Sequence, residues 1–255
     1  MAERLFALIP PSQGKAPGGR RHTSSGTFEV LEAPRREVLT ALGTFVASAT
    51  ISQLEVALSA RGPLLQRALA ATQQILNGTA PVLPVWRRYE GVVWSYLAPA
   101  SLTPAQRQRV LVPSGLYGLL AGDDRIAEYR LKMNVRLPNL PSLARFWRPS
   151  VTEALLERTS HATIVNFLPK EHVASIDTEK VKTRRKVIDV HFVGPDESKA
   201  VGHDAKAVKG ELARAVLSEG VAAFSTPERL GWRVERRDDD VVVIAPPTRA
   251  YFTAP

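Results

Sequence analysis

The sequence predicts a mixed α/β fold, a single compact domain over 1–255 with a mixed central sheet flanked by helices. Three observations predict it. Short apolar runs bounded by turn formers alternate along the chain with longer stretches of helical period. No proline-rich or low-complexity linker divides the 255 residues, and no internal repeat is visible. Hydrophobic residues make up 44% of the chain, enough for one sizeable core.

The elements follow in order. Arg4-Leu5-Phe6-Ala7-Leu8-Ile9 is a short apolar run stopped by Pro10-Pro11, as expected of a buried strand entering a loop. Residues 12–26 are rich in Gly, Ser, Lys and Arg and read as an exposed loop carrying Lys15, Arg20, Arg21 and His22. Residues 35–60 and 64–76 have helical spacing, broken at Arg61-Gly62-Pro63, and predict two helices joined by a tight turn. Turn-rich segments surround Pro81, Pro84, Pro99 and Pro104. Strands are predicted at 110–112, 163–168, 187–193 and 241–245, and helices at 142–159 and 203–219. Between them, Tyr129-Arg130-Leu131-Lys132-Met133 alternates as a strand does, which places Arg130 and Lys132 on one face.

Composition narrows the function classes. Lys plus Arg exceed Asp plus Glu by 34 to 25, a formal charge of +9 that favours polyanionic or phosphorylated partners. The absence of cysteine excludes disulfides, thiolate metal sites and cysteine nucleophiles together. There is no run of eighteen apolar residues and no signal-peptide pattern, so a cytoplasmic protein without a membrane span is expected. No histidine spacing supports a zinc site, and no pattern names a cofactor.

The most informative stretch is HDAKAVKGELARAV, residues 203–216. On a helical wheel Ala205, Val208, Leu212, Ala215 and Val216 gather on one side, and His203, Lys206, Gly210 and Arg214 on the other. A glycine in mid-helix costs about 1 kcal/mol relative to alanine. Its place among basic residues predicts close approach of an anion to the backbone; a merely solvated face is the plainer alternative. Three other segments offer anion contacts. PPSQGK places Ser12, Gln13, Gly14 and Lys15 just past a strand, although it lacks the spacing of a Walker A loop. SGLYG (114–118) carries glycines for a tight turn, with Tyr117 as either a packed aromatic or a reactive phenol. Asn166, Lys170 and His172 follow the apolar run at 163–165, and His172 is the acid–base candidate because imidazole titrates near neutrality. KTRRK (182–186) either grips phosphate or solvates a strand entrance.

Taken in order, these motifs resemble those of the YaaA family, a bacterial group associated with peroxide stress. LIPPSQGK resembles the family's LLPPSEGK, YEGVVWSYL (89–97) its YxGxxYxxL, and SGLYG and YRLKMNVRL (129–137) stand in the expected order. Phe146-Trp147 follows, then TIVNFLPKEHVASI (163–176) and GHDAKAVKG (202–210), so the resemblance runs over nearly the whole chain. It implies one α/β domain with a positively charged cleft, a helix–hairpin–helix-like element at 50–76, DNA binding and protection against oxidative damage. Carried over by position, the cleft involves Ser12, Lys15, Tyr117, Arg130, Asn166, His203, Lys206 and Lys209. The chain departs from the family at Gln13 for glutamate, His172 for tyrosine and Lys209 for arginine, and the last exchanges a rigid fork for a point charge.

Two functions follow as expectations. The first is nucleic-acid binding in peroxide-stress protection, with the anion contacts supplied by Ser12, Gln13, Lys15, Arg130, Lys132, Asn166, Lys209, Gly210 and Arg214. The second is an enzyme for a nucleotide or other small anion, in which Lys206 or His203 clamps the substrate and His172 or Tyr117 moves a proton. A basic surface that docks an acidic protein needs charge alone.

Overall fold

The computed structural model describes residues 4–21, 26–196 and 202–246, so His22 lies outside the described residues. β1 (Leu5–Leu8) is buried on both faces, as its unbroken apolar run requires, and lies inside a seven-stranded sheet. A 3-10 turn at Glu29–Leu31 leads into α1 (Glu32–Ser48), α2 (Ile51–Leu58) and α3 (Gly62–Leu76). The single helix expected over 35–60 is therefore two. Thr50 caps the second: its hydroxyl accepts from the Gln53 amide, and the Gln53 side chain accepts from the Thr50 amide. α2 and α3 are joined by Ser59, Ala60 and Arg61, with Ser59 in the left-handed region. Pro63 stands in the first turn of α3, where a missing amide costs no helical bond.

The turn-rich segment holds elements too short for periodicity to register: β2 (Val82–Pro84), α4 (Val85–Arg88), α5 (Val92–Leu97) and α6 (Pro104–Arg107). Next come β3 (Val110–Ser114), β4 (Gly118–Ala121), β5 (Arg125–Ala127), α7 (Leu143–Arg158) and β6 (Thr163–Asn166). The chain continues through α8 (Lys170–Val173), α9 (Thr178–Lys182), β7 (Val187–Val193), α10 (His203–Glu219), a 3-10 stretch at Gly220–Leu230, β8 (Arg233–Arg237) and β9 (Asp240–Ile244). Residues 129–133 form no strand. They keep the alternation, with Tyr129, Leu131 and Met133 buried and Arg130 and Lys132 half-buried, but run unpaired against Gly115.

The sheet runs β4-β3-β1-β6-β7-β9-β8; β3, β1, β6, β7 and β9 are parallel, and β4 and β8 are antiparallel edges. From β1 the chain steps to β3 on one side, then crosses to β6 on the other. In open α/β sheets such a reversal opens a crevice beyond the carboxyl ends of the two strands concerned. Here those strands are β1 and β6, with Leu8 opposite Asn166.

Candidate functional site at the switch point

The loop leaving β1 is held from below. The Trp94 indole donates to the Pro10 carbonyl at 3.1 Å, and the Gly14 amide donates to the Ser12 hydroxyl at 3.2 Å. Gly91, at φ +107°, passes so close that a Cβ there would lie 2.9 Å from the Ser12 oxygen. Gln13 is exposed, and its backbone carbonyl accepts from Arg130 at 3.1 Å.

Lys15 differs from the solvated cation its loop composition predicts: it is 7% exposed. Its ammonium donates to the Ser12 carbonyl at 2.8 Å and lies 4.1 Å from the Tyr129 ring centre and 5.2 Å from that of Tyr89. The nearby carboxylate of Glu128 is taken by Arg67 at 2.6 Å. Burial, and then the charge of Arg130, pull the Lys15 ammonium down to about 7. Its proton is therefore released far more readily near neutral pH than that of an ordinary lysine. Beside it the Tyr89 and Tyr129 hydroxyls are 2.6 Å apart and the Ser114 hydroxyl is 2.7 Å from that of Tyr129. Burial raises all three nearby phenols, Tyr89, Tyr117 and Tyr129, so they act as neutral hydrogen-bonding groups. Tyr117 is the packed aromatic of the two readings; its hydroxyl accepts from the Ala127 amide at 3.1 Å.

A second group stands over the end of β6. Asn166 is spent within the protein: it donates to Asp189 at 2.7 Å and accepts from the Leu168 amide at 3.0 Å, while Lys182 holds the other Asp189 oxygen at 2.8 Å. Lys209 reaches back from α10 to donate to the Phe167 carbonyl at 3.0 Å. His172 has a buried Nδ1 without a hydrogen bond, 3.5 Å from Glu171. Burial lowers its pKa, the charge of Lys209 lowers it further and Glu171 opposes both, so the imidazole is held neutral. His172 and Lys209 thus share one environment.

Gly210 is corrected by the structure. A Cβ there would lie 2.3 Å from the Val93 carbonyl and 2.8 Å from the Leu97 amide, so the backbone brought close is α5 and the glycine is buried. The wheel's basic stripe is split accordingly. His203 and Lys206 are exposed at the start of α10, the His203 ring standing edge-on to Tyr96 at 6.4 Å, whereas Arg214, about two turns beyond Lys206, pairs with Glu211.

Arg130 serves the α2–α3 turn. It donates to the carbonyls of Leu58 at 3.0 Å and Ser59 at 2.9 Å as well as to Gln13, so one guanidinium fastens that turn to the loop after β1. Lys132, two residues on, lines a separate groove of about 510 Å³ beside α2 with Phe45, Ser52, Gln53, Asn134 and Arg136. The structure therefore groups Ser12, Gln13, Lys15, Tyr117 and Arg130 at the end of β1, and Asn166, His172 and Lys209 at the neighbouring end of β6. Gly210, Arg214 and Lys132 lie outside these groups. Sequence reasoning missed Tyr89, Tyr129, Ser114 and Glu128, although both tyrosines open motifs quoted for the family.

A family model described as peroxide stress protein YaaA matches residues 5–233. A UPF0246 protein of Streptomyces coelicolor is 32% identical over 244 residues, covering 91% of this chain and 92% of its own. A second, from Corynebacterium efficiens, is 29% identical over 234 residues, covering 88% and 89%. Among the described residues no helix is long and apolar enough to cross a membrane. With the family match running from β1 to the first residue of β8 and over every motif above, the chain belongs to the peroxide stress protein YaaA family.

Proposed function

We propose that this protein protects against peroxide stress in the cytoplasm by binding nucleic acid through backbone phosphates, with the α2–α3 turn and the groove beside it as the contact surface. The observation that carries this reading is the lining of that groove: Lys132 and Arg136 stand among Ser52, Gln53 and Asn134, with no carboxylate among the lining residues. The outward side of the turn adds Arg61, whose side chain is 86% exposed and whose ion pair with Glu55, at 3.6 Å, a phosphate would have to compete with. Arg130 fixes the turn's carbonyls, so cations on either side of it hold a set spacing. The net charge of +9 supports the same partner. Binding measured against salt tests the reading: each phosphate contact contributes about 0.9 to the log–log slope. Lys132→Ala and Arg136→Ala should each lower the slope by about one without changing sequence preference. A slope that ignores both substitutions rejects the surface.

Lys15 favours a second reading. A lysine whose ammonium is pulled down to about 7 and stands over two phenols at a sheet switch point suits proton transfer or amine chemistry on a small anion, with His172 and Lys209 at the end of the neighbouring β6. Mass spectrometry of small molecules retained by the purified protein separates the readings. A stoichiometric metabolite whose retention is lost in Lys15→Ala and Lys206→Ala supports catalysis; nucleic-acid fragments alone support the first reading.

A further inference from the structure

We propose that Arg20, Arg87 and Arg125 form a binding site for an oligophosphate group, in a hollow that shares no lining residue with the switch-point groups or with the hairpin groove. The three come from different segments: the loop after β1, α4 and the first residue of β5. They line one hollow of about 490 Å³ whose other walls are Gly19, Val82, Leu83 and Pro84, so its lining carries three positive charges and no carboxylate. Among the described residues none of the three has a carboxylate partner or donates a side-chain hydrogen bond; Arg87 only lies over the Trp86 ring, at 4.9 Å. Like charges around one hollow repel, and an anion removes that cost.

The spacing of the three is built by buried structure. Arg88, fully buried, donates to Ile126 at 3.2 Å, Gly18 at 2.9 Å, Pro81 at 3.0 Å and also to Ala16, so one guanidinium clips together the segments that carry the exposed three. Gly19, at φ +121°, lies so near β2 that a Cβ would fall 2.5 Å from the Val82 carbonyl. This contact lets Arg20 and Val82 exchange backbone hydrogen bonds of 3.2 and 3.0 Å. On the other side of β2, Arg125 is in register with Pro84. The platform is thus set before any ligand arrives, and planar guanidinium forks suit paired phosphate oxygens better than a single carboxylate. Three forks match a chain of two or three phosphates, whether free or on a nucleotide.

The site does not rest on the nucleic-acid reading, and its test is separate. Calorimetric titration of the full chain with inorganic tripolyphosphate at fixed ionic strength should show one saturable site. Arg87→Gln and Arg125→Gln should each weaken it by about tenfold or more, the loss expected for a charge-assisted hydrogen bond. Lys132→Ala should leave it unchanged, and melting curves should show both arginine variants folded, because the substituted side chains are exposed. ATP binding more tightly than tripolyphosphate assigns the phosphates to a nucleotide; equal affinity assigns them to a free oligophosphate. The proposal is overturned by any of three results: no saturable binding, affinity unchanged in both variants, or sulfate binding as tightly as tripolyphosphate.

Discussion

Lys15 shows what a residue's type conceals. Lysine after a strand reads as an anion contact, and nothing local reveals that Tyr89 and Tyr129, 74 and 114 positions further along, close over it. The consequence is a pH effect with a definite sign. The folded ammonium titrates at about 7 and the unfolded one at 10.5, so between these values the unfolded chain holds a proton that the native chain has released. Stability therefore rises with pH across that window, by about 1.4 kcal/mol per unit at most. Urea unfolding at pH 7 and 9.5 should show the rise in the native sequence and a smaller one in Lys15→Met; identical slopes would remove the buried-amine account. The departures at 13 and 209 also become legible at this scale. Position 13 supplies Arg130 with a backbone carbonyl that any residue has, and at position 209 the lysine donates to the Phe167 carbonyl and lies over the Phe192 ring.

At the scale of elements, the long periodic helices and apolar strands were legible: α7, α10, β1, β7 and β9 stand within a residue or two of their expected ends. What failed was local. Thr50 with Gln53 starts a helix that the hydrophobic period runs straight through, and β4, β5 and β8 are too short or too charged to stand out. Gly210 was rightly marked as needing close approach, but the neighbour is α5. Gly210→Ala should consequently cost about 2–4 kcal/mol by overpacking, read as a fall in the urea midpoint, because backbone atoms cannot move aside as a side chain tip can. A well-folded Gly210→Ala that loses only ligand affinity would restore the anion reading. Arg130→Met strips three carbonyls of their donor and should destabilise by about 1–3 kcal/mol, loosening amide exchange protection around Ser59–Leu65 first.

At the scale of the molecule, strand order was the part no window of sequence could supply. Nothing in the residues of β1 and β6 says that the chain crosses between visiting them, yet that crossing puts the end of β1 beside the end of β6, where the Phe167 amide donates to the Leu8 carbonyl at 3.0 Å. Charge was legible as a sum and illegible as a pattern. Arg88, Arg130 and Arg214 are committed to internal carbonyls or to a carboxylate, while Lys132 and Arg136 line the groove beside the α2–α3 turn without a carboxylate among its lining residues. The functional account depends on that partition. It is tested most directly by the salt dependence of duplex DNA binding, compared between the native protein and Lys132→Ala/Arg136→Ala. The account predicts a linear log–log dependence whose slope falls by about two in the double variant, with folding intact. An unchanged slope, or native binding that does not weaken as salt rises, would contradict it.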